Sequence, residues 1–154
     1  MKKYTTLNLP PTILLQNEKP QAWEDPTASF SIKTVPDFWF EDVVYLYAID
    51  LFNAGFFWQA HEVWEKKWNF FKNFHPEYAD WIQSLIQVGA GMYHCRLNNT
   101  QGYQSCVDKA LNHAKAYQNQ KILMGVHVED WLETLEKQKD QEGVETYPLI
   151  VLQD

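Results

Sequence analysis

Residues 77–97 restrict the folds open to this chain more than any other stretch. Trp81, Ile82, Leu85, Ile86, Val88, Ala90, Met92, Tyr93 and Leu97, set at about 100° per residue, put apolar atoms around nearly the whole circumference of a helix. Such a helix belongs in the middle of a bundle, covered by others. One narrow strip breaks the pattern. Gln83, Gln87, Ala90 and His94 fall within roughly 60° of one another, and polar groups entering an interior need partners there. Gly89 and Gly91 weaken the helix, and close approach of a neighbouring backbone is a physical reason for them.

The covering helices can be read on both sides. Asp37 is a candidate cap for a helix over Phe38–Phe52, with Val43, Val44, Leu46, Tyr47, Leu51 and Phe52 inward. Asn53-Ala54-Gly55 reads as a stop. A second helix from about Phe56 to Phe71 turns Phe57, Ala60, Val63, Trp64, Trp68 and Phe71 to one side, and Trp58, His61, Glu62, Glu65 and Asn69 to the other. Pro76 suits the first position of the central helix. Asn98-Asn99 ends it, and Thr100 can cap a fourth helix with Tyr103, Val107, Ala110, Leu111, Ala114 and Tyr117 at three-four spacing. Residues 118–125 connect to a shorter fifth helix, Val128 to Lys137.

The two ends read differently. Pro10, Pro11, Pro20, Pro26 and Pro36 exclude a long helix upstream. Leu7, Leu9, Ile13, Leu14, Leu15, Trp23 and Phe30 are nonetheless too apolar to stay in water. Residues 1–36 are therefore expected to lie across the body as an irregular arm, and residues 37–154 to form the bundle domain. After Gly143 the tail YPLIVLQ should dock in extended form. At 154 residues one domain with a real core is the prior. The fold class expected is all-α, a single-domain bundle of about five helices.

Charge and cysteine usage narrow the function classes. The net charge of −7 with no basic cluster argues against nucleic acid and anionic membrane surfaces as partners. No apolar run approaches the ~20 residues of a membrane span, and no signal-peptide pattern follows Lys2-Lys3. Cys95 and Cys106 form no CxxC. These features point to a cytoplasmic protein with reduced thiols. Its many aromatics and apolar tail suggest surface patches that a homodimer would cover most simply.

The segments LFNAGFFWQAHEVWEKKW, IQSLIQVGAGMYH with the turn from Asn98-Asn99 to Gly102, and GVHVEDWLETLE resemble, in order and spacing, the family numbered 309 among the domains of unknown function. The resemblance implies a small all-helical bundle with a shared polar cluster and no established activity. Carried over, that cluster is His61, Glu62, Glu65, Trp68, Gln83, Gln87, His94, Asn98 and Gly102. The turn departs from the family's usual Gly-Asn with a basic neighbour, since here it is Asn98-Asn99-Thr100.

His61 and Glu65 are four apart on one helix face, at the edge of a tryptophan-rich side. His61-Glu62-x-x-Glu65 is not the His-Glu-x-x-His of zinc peptidases. His61, Glu65 and His94 are the candidate catalytic groups, as acids and bases. Glu62, Trp58, Trp68, Gln83, Gln87 and Asn98 are candidate ligand-binding residues for a small molecule. The same His61, Glu65 and His94 would suffice for a divalent metal. The glutamines favour that reading least, because neutral amides are poor ligands and good network members. Two function classes follow: a small-ligand or hydrolase-like pocket between the second and third helices, or a structural or oligomerisation module in which the cluster is a buried hydrogen-bond network.

Overall fold

The computed structural model describes residues 2–11, 23–140 and 147–153. The apolar arm positions Ile13, Leu14 and Leu15 lie outside them. The described residues are mostly helical, in one all-α bundle: α1 (Val43–Asn53), α2 (Phe57–Phe74), α3 (Ala79–Arg96), α4 (Thr100–Lys115) and α5 (Val128–Lys139). Short 3-10 turns at Pro36–Glu41 and Pro76–Tyr78 precede α1 and α3. Two-residue strands β1 (Ile122–Leu123) and β2 (Val126–His127) form an antiparallel hairpin ahead of α5.

Helix α3 packs between α2 and α4, as its apolar circumference requires. Both glycines sit at its contacts. A Cβ on Gly91 would lie 3.2 Å from Cys106 Cβ, and one on Gly89 would lie 3.5 Å from the Phe57 carbonyl and 3.7 Å from His61 Cβ. Ser84 ties three helices together: it donates to the Ala110 carbonyl at 2.8 Å and accepts from Trp131 Nε1 at 3.1 Å.

The most thoroughly buried helix is α1, with every residue from Val44 to Asn53 inside. The reason is the cover supplied by both ends of the chain. Asp50, fully buried, accepts from the Tyr4 and Thr5 amides at 2.7 and 2.9 Å and from the Thr5 hydroxyl at 2.7 Å. Asn53 exchanges two 2.8 Å bonds with the backbone of Ile150. The Leu152 amide donates to Tyr4 Oη. Along this tail Ile150 and Leu152 are buried, whereas Leu149 and Val151 face outward.

Two caps differ from the sequence reading. The N-cap of α1 is Asp42, which accepts from the Tyr45 amide, because the residues after Pro36 wind into a 3-10 turn first. The N-cap of α4 is Asn99, which accepts from the Gly102 amide at 2.9 Å.

Lys67, on α2, is wholly buried. Its ammonium lies 2.7 Å from Asp42 Oδ2 and donates to the Ile32 and Thr34 carbonyls at 2.6 and 3.0 Å. The rings of Phe70 and Phe71 are about 5 Å away, within cation–π range. Burial pushes the Asp42 carboxyl up and the Lys67 amine down, and each partner's charge opposes the other's shift. No described helix is long and apolar enough to cross a membrane.

Candidate functional site

The close approach of α3 to α2 at Gly89 leaves a cavity of about 180 Å³ one turn further along. It is lined by Trp58 and His61 from α2 and by Ala90, Tyr93 and His94 from α3. Alanine at position 90 makes the space, and aromatic rings form the walls. The Trp58 ring lies 5.2 Å from that of Tyr93 and 5.5 Å from that of His61, and the Tyr93 and His94 rings are 6.4 Å apart.

His61 stands between two carboxylates. Its Nε2 is 3.3 Å from Glu65 Oε1, and its Nδ1 is 3.6 Å from Glu62 Oε1. The second distance is too long for a hydrogen bond, and Nδ1 is buried with no hydrogen-bond partner. A buried polar atom left open in this way calls for an explanation. The imidazole is about 20% exposed and the Glu65 side chain about 45%, so the cluster opens to solvent on its carboxylate side.

His94 is held by the turn that follows it. The Asn99 amide donates to the His94 carbonyl and the Asn98 amide to that of Cys95. Asn98 occupies the left-handed region at φ 60°. This is a Schellman ending with asparagine in the position glycine usually takes. The α1–α2 turn repeats the motif with Gly55 at φ 90° and a Phe56 amide bonded to the Leu51 carbonyl. Reversing the chain at Asn98 brings the side chain of Asn99 back against His94, with Asn99 Nδ2 3.2 Å from His94 Nδ1. Gly102 makes room for this, since a Cβ there would fall 2.8 Å from His94 Cγ and 2.7 Å from Asn99 Nδ2.

The remaining candidates stand apart from the cavity lining. Gln83 and Gln87 are part-buried on α3, two turns and one turn before Ala90. Trp68 is capped by the Lys72 ammonium 4.5 Å from its ring. Asn98 is exposed and acts through its backbone conformation. Sequence reasoning put Ala90 on the strip with His94 but missed Tyr93 as a lining residue and Asn99 as the partner of His94. The signal for Asn99 was its place three residues before Gly102, at capping distance. Cys95 is part-buried and Cys106 buried, and burial pushes the Cys106 thiol up.

Among the described residues one group could hold a metal ion. His61, Glu62 and Glu65 each offer a donor atom, all within 4.8 Å of one another. The group takes Glu62 as its third member and does not include His94.

A helical bundle with a two-histidine cleft between neighbouring helices is the class that fold and site define. The family model described as Domain of unknown function (DUF309) matches residues 45–106. That span holds both cavity walls, Asn99 and Gly102, and over it the resemblance read from the sequence is shown. No curated protein and no solved structure matches the chain.

Proposed function

We propose that the cavity between α2 and α3 binds a small ligand, with His61 and His94 as its polar groups and Glu65 orienting His61. The observation that carries this is the cavity itself, which two imidazoles line together with the rings of Trp58 and Tyr93. Acid–base chemistry on the bound molecule is within reach of this pair, since a histidine backed by a carboxylate is a common general base. Trp58 in the cavity wall supplies the assay. A ligand entering the cleft should change tryptophan emission in the wild type, and the change should vanish in His61→Ala and His94→Ala variants that still melt cooperatively. Retention of the change in both variants would refute the reading.

A divalent cation on His61, Glu62 and Glu65 is the second reading, favoured by the spacing of their donors. It predicts a rise in wild-type melting temperature with added Mn²⁺ or Zn²⁺ that Glu62→Gln abolishes. The homodimer expected from the exposed Leu149 and Val151 is tested by sedimentation.

A further inference from the structure

We propose that Asn99 is a positioning residue that fixes His94 as a hydrogen-bond donor toward the cavity, and that the site accordingly selects a neutral ligand bearing a carbonyl oxygen. This rests on the reading of the cavity as a ligand site and adds the class of ligand.

The tautomer follows from the cap. An asparagine amide can be flipped in assignment unless its contacts decide the matter, and here they do. Asn99 Oδ1 accepts from the Gly102 amide at 2.9 Å, a bond that α4 needs at its first turn. The Nδ2 end is therefore the one facing His94 Nδ1 at 3.2 Å. An amide nitrogen only donates, so in the neutral imidazole Nδ1 carries the lone pair and Nε2 carries the proton. The Nδ1 edge is packed against Gly102 and Asn99. The opposite edge, with Nε2–H, is what His94 has left to offer the cavity it lines.

That donor asks for an acceptor on the ligand. Glu62 and Glu65 stand beside His61 on the same side of the cleft, so a carboxylate or phosphate would meet like charge, whereas a neutral carbonyl would not. The walls are aromatic, with the Trp58 and Tyr93 rings packed on each other at 5.2 Å and tilted by 51°, which suits an apolar ligand body. A neutral amide, whose carbonyl accepts without bringing charge, matches these demands.

The test uses uracil as the probe, benzoate as the anionic comparator and toluene as the flat molecule without an acceptor. Tryptophan emission and long-range proton–nitrogen correlation spectra of the histidines are followed in the wild type and in Asn99→Asp. Aspartate caps α4 as well as asparagine does, yet it accepts where the amide donated, so in the neutral imidazole, the form measured at alkaline pH, it draws the proton to Nδ1 and leaves Nε2 bare. A thermal melt checks that the fold is kept. The expected result is an unprotonated Nδ1 on wild-type His94 and uracil binding tighter than that of either comparator. Asn99→Asp should weaken uracil about tenfold, the loss of one hydrogen bond, and leave toluene unchanged. A protonated Nδ1 in the wild type, or uracil affinity indifferent to Asn99→Asp, overturns the inference while the cavity stands as a binding site. If none of the three probes perturbs the emission or histidine signals of the wild type at millimolar concentration, the ligand-site reading falls and this inference with it.

Discussion

Lys67 and His61 stand on the same helix, and the contrast between them separates scaffold from site. The Lys67 ammonium donates to two arm carbonyls and pairs with one carboxylate at 2.7 Å, and neither it nor Asp42 has any contact with solvent. His61 keeps one nitrogen open, beside carboxylates that are half in water. Full enclosure of a paired charge belongs to the scaffold. A half-enclosed imidazole between carboxylates at the rim of a cavity is where a ligand is met.

The contrast can be broken most forcefully at Lys67. Lys67→Met strands the Asp42 carboxylate in the interior and should cost about 3–5 kcal/mol, read as a fall in denaturant midpoint, whereas adding Asp42→Asn, which keeps the cap on α1, should recover a large part. A single variant within 1 kcal/mol of wild type, on the order of a surface pair, would remove Lys67 from the scaffold.

The closed side of the molecule should also titrate late. Tyr103 and Tyr117 are buried, donate to the carbonyls of Gln138 and Glu77, and are pushed up to about 12 by burial, from 10.0. The folded state then holds protons that the unfolded chain releases. This contribution is whole below pH 10 and is lost as pH rises to 12, roughly 2 kcal/mol per tyrosine. Urea midpoints unchanged across that window would show that these hydroxyls are not enclosed.

Gly102→Ala sits between the two classes. Its new Cβ would meet the His94 ring and Asn99, so it should cost about 1–3 kcal/mol and free the imidazole from its turn. Calorimetry measures the first effect, and histidine proton–nitrogen spectra the second.

The smallest expected effect is at His61 itself. His61→Ala should change stability by about 0.5 kcal/mol or less, as for a partly exposed side chain, while abolishing any ligand response. A loss comparable to that of Lys67→Met would place His61 in the scaffold and end the distinction.

The helices were legible because a three-four apolar period survives any tertiary detail; α2 to α5 lie within a few residues of where the pattern puts them. The start of α1 was not. Phe38 and Phe40 extend the apolar run, yet both are more than half exposed, because Pro36 starts a 3-10 turn and the α-helix waits for Asp42. Strands of two residues are too short to alternate, and so the hairpin left no trace. At the site, the four-residue step from His61 to Glu65 and the polar strip ending at His94 could be read locally. Lys67 could not, since in the pair Lys66-Lys67 it looks like solvated surface, and its burial depends on carbonyls more than thirty positions upstream. Asn99 was hidden by a different limit: its contact exists only because Asn98 turns left-handed.

The clasp between Asn53 and Ile150 has a consequence in time. Its two ends are 97 positions apart, and at the usual pace of synthesis they emerge on the order of 5–20 s apart. Through that interval α1 has a cap, a neighbour in α2 and an anchor for the arm, while the face reserved for Ile150 stays wet. This face therefore closes later than the rest of the bundle around it, and α1 must be kept from other apolar partners until Ile150 arrives.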